Sequence, residues 1–122
     1  MGNTPTIESL LAQWIEAFNS HDLDRHMTLY TDDATLFGSV DELQLGKAAI
    51  RAYFGRRPGT IRIKNYPMPH VRTIAPDVAV TAGHVDFADG DQPSPYRMTW
   101  VLFRQGGNWR ITQHHGSPRF GF

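Results

Sequence analysis

The sequence predicts an α+β domain in which N-terminal helices pack on one face of a curved antiparallel sheet. Apolar residues recur at helical spacing near the N-terminus, whereas the chain beyond residue 61 is rich in β-branched and aromatic residues separated by prolines and glycines. In the last quarter, residues 96–104 and 108–117 flank Gln105-Gly106-Gly107, a pattern typical of a β-hairpin. Helices followed by a run of about four long strands favour two packed layers.

The helical signals are local and specific. Thr4 and Pro5 suit an N-cap and a first helical position, so the first helix is predicted from about residue 5 to residue 19. Asp22 can cap a short second helix that extends through Tyr30. The apolar stripe of the first helix consists of Ile7, Leu10, Leu11, Trp14, Ile15 and Phe18.

A turn, a strand and a third helix are predicted next. Asp32-Asp33 mark the turn, where aspartate is favoured for local backbone hydrogen bonds rather than for acid–base chemistry. Residues 34–37 then form a first strand, and Gly46 precedes a third helix over residues 47–54. His21 and His26 flank the start of the second helix on its polar side and are predicted to be solvated.

The closing hairpin is apolar on both faces. Met98, Trp100 and Leu102 alternate with Val101 and Phe103, so each face of the sheet needs a cover. The helices can cover only one face. A second copy of the chain is therefore predicted to cover the other, giving a homodimer or a larger ring.

Composition sets the broad class. With 122 residues, 40% of them hydrophobic, the chain fits one domain spanning residues 1–122. Twelve basic residues balance twelve acidic ones, and no basic run exceeds Arg56-Arg57, so no nucleic-acid or membrane partner is indicated. Cysteine is absent, which excludes thiolate chemistry and cysteine-ligated metals. No signal peptide, membrane span or cofactor motif is found, and a cytoplasmic location is expected.

Several segments carry a family resemblance. Asp22-Leu23-Asp24, residues 29–35 (LYTDDAT) and residues 46–54 (GKAAIRAYF) resemble the nuclear-transport-factor-2-like superfamily, which includes ketosteroid isomerase and SnoaL-like cyclases. Within it, Pro69-His70-Val71, residues 46–54 and residues 109–117 (WRITQHHGS) are most similar to the association domain of calcium/calmodulin-dependent protein kinase II and its stand-alone bacterial relatives. The resemblance implies a cystatin-like cone with a pocket at its wide end and dimerisation through the outer sheet face.

The catalytic groups of these relatives are not matched. The isomerase base falls at Gly38, its tyrosine at Trp14 and its acidic donor at Trp100, and losing even one oxyanion donor costs about 3 kcal/mol, so that mechanism is not retained. The histidine and three arginines of the kinase association pocket fall at Ile50, Val85, Trp100 and Gly116. A pocket without these cations should prefer a neutral or aromatic ligand. The motifs of a protein kinase are also missing.

The same matching gives a strand register. It predicts a ligand pocket lined by Trp14, Tyr30, Ile50, Val85, Phe87, Met98, Trp100 and His114, with Thr112 also pointing inward. It predicts an outer, interface face that carries His84, Asp86, Arg97, Gln113 and His115. A single β-bulge would exchange part of these two sets.

His114 is the candidate catalytic residue, because a histidine can serve as acid or base near neutral pH. The alternative is that His114 only hydrogen-bonds a backbone group or water. His84 and Asp86 share a strand face but lack a third ligand, and His114 and His115 point to opposite faces, so no metal site is predicted. Two hypotheses follow: a self-associating domain with a mainly apolar pocket, or a small isomerase, cyclase or hydrolase that uses His114 on a hydrophobic substrate.

Overall fold

The structure, a computed structural model, describes residues 6–119 and confirms the α+β architecture. Within these residues, three helices precede or interrupt a seven-stranded, curved sheet. The elements in chain order are α1 (Ile7–Ser20), α2 (Leu23–Met27), β1 (Tyr30–Phe37), β2 (Gln44–Leu45), α3 (Lys47–Gly55), β3 (Ile61–Asn65), β4 (His70–Ala75), β5 (Val78–Asp89), β6 (Gln92–Gln105) and β7 (Asn108–Pro118).

The sheet is mixed rather than wholly antiparallel. Its strand order is β2-β1-β7-β6-β5-β3, and β4 also pairs with β5. The pairing of β1 with β7 is parallel, and the other pairings are antiparallel. The sequence analysis predicted only antiparallel pairing. Strands β1 and β7 are not joined by a hairpin turn, because α3 and several strands lie between them in the chain, and strands connected in this way can run parallel.

Helix α1 begins two residues later than its sequence signals suggested. Thr6 is the N-cap, and its side-chain oxygen accepts a hydrogen bond from the Ser9 N–H at 3.0 Å. The predicted cap and first position, Thr4 and Pro5, lie outside the described residues. The buried face of α1 consists of Leu10, Leu11, Trp14, Ala17 and Phe18. None of the helices within residues 6–119 is long and apolar enough to cross a membrane.

Helix α2 is shorter than predicted, and Tyr30 is not part of it. Asp22 does cap the helix, accepting from the Arg25 N–H at 3.1 Å, but the helix ends at Met27. Tyr30 instead opens β1 and pairs with Ile111 of β7, whose N–H donates to the Leu29 carbonyl at 2.8 Å. This long-range pairing draws the chain into the sheet before the predicted turn at Asp32-Asp33, which lies within an irregular stretch of β1.

The hairpin of β6 and β7 is confirmed, with one bulge. Gly106 and Gly107 have φ values of 56° and 83°, which other residues adopt only under strain. Leu102 pairs with Ile111 whereas Val101 pairs with Gln113, so Thr112 is the extra residue of the bulge. Beyond the bulge, Trp100 pairs with His114, and both side chains are buried.

Candidate functional site

A cavity of about 560 Å³ opens among α1, α3 and the strands β5, β6 and β7. Most of its wall is apolar or aromatic. These wall residues are Trp14, Phe18, Leu36, Val40, Tyr53, Phe54, Pro58, Ile61, Phe87, Ala88, Pro93, Tyr96 and Met98. Such a volume and lining are typical of small-molecule sites, which range from about 300 to 1,000 Å³.

The predicted pocket residues divide into two groups. Trp14, Phe87, Met98 and His114 line the cavity. The other four do not line it but are buried in the core, each no more than 1% exposed: Tyr30, Ile50, Val85 and Trp100. Trp100, for example, is held edge-on by Trp14 and by Tyr66, with ring centroids 5.4 Å and 6.2 Å away. An inward direction on a strand therefore predicts burial, but neighbouring side chains decide which inward residues reach open space.

A buried hydrogen-bonded chain of three side chains ends at the cavity. The Trp14 Nε1–H donates to the Tyr30 hydroxyl oxygen at 3.0 Å, and that oxygen lies 2.9 Å from His114 Nδ1. Trp14 can only donate, and Tyr30 has no other acceptor for its proton among the described residues, so Tyr30 donates to His114 Nδ1. The remaining imidazole proton then resides on His114 Nε2.

Burial keeps these groups neutral. It lowers the pKa of His114 to about 3, with smaller contributions from nearby His26 and His115, and it raises the pKa of Tyr30 above its usual range. An imidazole with so low a pKa is not converted to imidazolium at neutral pH, so it is a poor general acid and a weak base there. The chemistry that this arrangement offers is a directed hydrogen bond from neutral His114.

Gly116 leaves space beside His114. A Cβ atom at position 116 would lie 3.8 Å from His114 Nε2 and 3.8 Å from Tyr96 Cδ2, which is ordinary van der Waals contact. A longer side chain there would extend into the cavity wall formed by His114 and Tyr96. Substitutions at Gly116 can therefore be used to reduce the free volume next to His114.

At Gly38, the position that matches the isomerase base, there is no room for an aspartate side chain. A Cβ atom at position 38 would collide with the hydroxyl and ring of Tyr53. The Tyr53 oxygen accepts the Ser39 N–H at 2.8 Å and lies 3.0 Å from Ser39 Oγ. Tyr53 therefore fills the space that an aspartate at position 38 would need.

His26 is buried, so its predicted solvent exposure is wrong. Only 1% of the residue is exposed, and its ring lies 4.5 Å from that of Phe54 and 5.3 Å from that of Trp14. Neither ring nitrogen has a hydrogen-bond partner among the described residues. Burial, reinforced by Arg57 and His21, lowers the pKa of His26 to about 3. A five-residue helix shows too little periodicity for sequence reasoning to have found this.

The predicted interface residues lie on the outer side of the sheet, and two of them already have side-chain partners within the same chain. His84, Arg97 and His115 are exposed, and His84 pairs with Arg97 across β5 and β6. Asp86 binds Arg119 Nη2 at 3.0 Å, and Gln113 accepts a hydrogen bond from the Thr35 hydroxyl. Within residues 6–119, no cluster of three or more His, Asp or Glu could hold a metal ion.

Two arginines at the cavity were not predicted as site residues. Arg56 and Arg57 follow α3 and line the cavity together with Asp89. Arg57 Nη2 donates to the Phe18 carbonyl at 2.7 Å, and its guanidinium lies 3.8 Å from the centroid of the Phe18 ring. The sequence does show these two arginines as the longest basic run in the chain. They follow the end of α3, however, and outside a helix or strand there is no periodicity from which to predict that a side chain faces the pocket.

A family model named SnoaL-like domain matches residues 7–121, which is nearly the whole chain. The chain belongs to the SnoaL-like domain family. The resemblance inferred from residues 22–54 is thereby confirmed at this level. No curated protein matches the sequence.

Solved structures extend the comparison of this SnoaL-like domain. An NTF2-like protein of unknown function from Pseudomonas putida KT2440 is 26% identical, with a TM-score of 0.82 over 94% of this chain and 85% of that one. A ketosteroid isomerase-like protein from Erwinia carotovora atroseptica SCRI1043 is 20% identical, with a TM-score of 0.81 over 94% and 95%. A protein named as a calcium/calmodulin-dependent protein kinase type II association domain, from Thiobacillus denitrificans ATCC 25259, is 24% identical, with a TM-score of 0.80 over 98% and 100%. The latter two likenesses establish the cystatin-like fold alone.

Proposed function

We propose that this SnoaL-like domain binds a mainly apolar small molecule in its cavity and self-associates through the outer face of its sheet, without kinase activity. The observation that carries the binding proposal is the cavity of about 560 Å³ with its aromatic wall. Transfer of an apolar molecule from water into this cavity is favourable, and the opposing cost of desolvating polar groups of the protein is small because few of them line the cavity. No metal or other cofactor is part of the proposal.

His114 supports the choice of a ligand with one hydrogen-bond acceptor, such as a carbonyl oxygen. Its Nδ1 is already occupied by Tyr30, and its pKa of about 3 leaves the ring neutral. A neutral Nε2–H can donate to a carbonyl without bringing a charge into an apolar cavity. The part of the ligand that lies near His114 is therefore proposed to be neutral and preferably aromatic.

Filling the cavity from Gly116 tests this proposal. The probe is 2-acetylnaphthalene, a neutral aromatic ketone, and binding is measured by isothermal titration calorimetry. We expect wild type and Gly116→Ala to bind it, because a Cβ atom fits at this position. Gly116→Phe should lose at least about tenfold in affinity because its ring takes up ligand volume. Equal affinity in the folded Gly116→Phe variant would place the probe elsewhere, and no binding by wild type would count against the proposal.

A second candidate function is favoured by the chain from Trp14 through Tyr30 to His114, which orients the imidazole. In this alternative the domain is an isomerase, cyclase or hydrolase of a hydrophobic substrate, and neutral His114 polarises a substrate carbonyl. Once a substrate is found by screening, His114→Gln is expected to reduce kcat by at least about 100-fold. Phe87→Leu, a substitution in the apolar wall, is the control and should act mainly on KM. Unchanged turnover in His114→Gln would remove this candidate.

The self-association proposal rests on the composition of the outer sheet face. Phe37 is 40% exposed and Phe103 is 39% exposed. Val101 is half-buried and lies on β6 between Thr99 and Phe103, which are both exposed. This apolar surface is flanked by the polar residues His84, Arg97 and His115. A second copy of the chain would bury the apolar area while the polar residues fix its orientation.

A further inference from the structure

The rim of the cavity carries a net positive charge. Its charged lining residues are Arg56 and Arg57, which follow α3, and Asp89, the last residue of β5. Asp89 already accepts a hydrogen bond from the Thr60 hydroxyl at 2.6 Å. Two guanidinium groups thus stand against one carboxylate at the entrance of a mainly apolar cavity.

Arg57 provides a fixed charge. Its Nη2 is held by the Phe18 carbonyl, and the Phe18 ring lies against the guanidinium. Its Nε and Nη1 atoms are buried and have no acceptor among the described residues, although the residue as a whole is half-buried. Burial and the nearby Arg62 lower the pKa of Arg57 to about 10, so the group stays cationic at neutral pH. A half-buried cation without an anionic partner is a site where a bound anion would be stabilised.

Arg56 provides the direct contact. Its side chain is exposed, and it forms no ion pair with an acid in residues 6–119. It can therefore turn towards a group bound at the rim without breaking an existing interaction. Because the rim faces water, an anion there keeps much of its hydration, which an anion beside His114 would lose.

We infer that the ligand of this domain is amphipathic: a neutral aromatic or aliphatic body fills the cavity, and a carboxylate at its outer end is bound at the rim by Arg56 in the field of Arg57. This inference rests on the proposed function and adds the charged end of the ligand. It revises the sequence-based expectation of a wholly neutral ligand, since that expectation considered only cations inside the pocket. Guanidinium groups match carboxylates in geometry as well as in charge.

The test compares 2-naphthylacetate with 2-naphthylacetamide, which have the same apolar body but differ in charge. Affinities are measured by calorimetry with wild type, Arg56→Gln and the control Lys64→Gln, which removes an exposed cation on β3 that does not line the cavity. Wild type should bind the acid about five- to tenfold more tightly than the amide at about 0.01 M salt, and this ratio should approach one at about 1 M salt. Arg56→Gln should reduce the ratio at least twofold and Lys64→Gln should leave it unchanged.

Each outcome is decisive. Equal affinity of acid and amide in wild type overturns the inference while leaving the proposed cavity function in place. A preference for the acid that persists in Arg56→Gln, or that falls equally in Lys64→Gln, overturns the assignment to the rim. Failure of both probes to bind contradicts the proposed function, and the inference falls with it.

Discussion

His26 and His114 show how strongly the surroundings of one residue change its chemistry. Both imidazoles lie against Phe54 and Trp14, and burial holds both pKa values near 3. The sequence identified His114 as an inward residue but treated His26 as solvated. The inward assignment of His114 came from the strand register that the family resemblance implied. The burial of His26 depends on how α2 packs against α3, which has no local signature in the sequence.

These two histidines predict a loss of stability in acid. The unfolded chain takes up protons near pH 6.5 while the folded rings stay neutral to about pH 3, so the free energy of unfolding falls as the pH drops through this window. Each histidine contributes about 1.4 kcal/mol per pH unit. In urea unfolding between pH 7 and pH 5, His26→Leu should show a shallower loss than wild type, with His84→Leu on the outer face as control. Identical pH dependence in wild type and His26→Leu would contradict the buried, neutral state of His26.

At the scale of elements, the sequence predicted what local signals determine. Asp22 caps α2 with its carboxylate, and Gly46 precedes α3. Gly106 and Gly107, which have no side chain, form the turn of the closing hairpin. All three features were expected from the sequence. Tyr30 was assigned to the wrong element because its place is set by pairing with Ile111, at the other end of the chain. The lining of the cavity was predicted only in part for a related reason: the depth at which Trp100 or Val85 packs depends on side chains from distant segments.

The hairpin turn allows an element-scale prediction. Gly107 has φ 83°, so Gly107→Ala forces an alanine into the left-handed region and should destabilise the fold by about 1–2 kcal/mol. Gly59 has no positive φ, and nothing lies within 4 Å of a Cβ atom built on it, so Gly59→Ala should be neutral or slightly stabilising. Urea denaturation measures both. A loss in Gly59→Ala equal to that in Gly107→Ala would show that strain at the turn is not the cause.

For the molecule as a whole, the two faces of the sheet have different roles. The inner face packs on the helices and contributes Met98 and His114 to the cavity, whereas the outer face leaves Phe37 and Phe103 partly exposed. Trp100 and His114 lie opposite each other on the inner face, and Thr99 and His115 do so on the outer face. Substitutions on one face can therefore be used to test self-association without altering the cavity.

Thr99 is the position at which the self-association proposal is most directly tested. It is exposed near the middle of the outer face and pairs with Ala82 and His115. In a twofold interface every substitution occurs twice, so Thr99→Lys brings two added charges into a surface that already carries Arg97 and His115. Sedimentation velocity at micromolar concentration should show wild type as a dimer or larger assembly and Thr99→Lys as a monomer. Ala12→Lys, on the exposed side of α1, is the control and should assemble like wild type. A monomeric wild type, or Thr99→Lys that still assembles, would argue against an interface on this face.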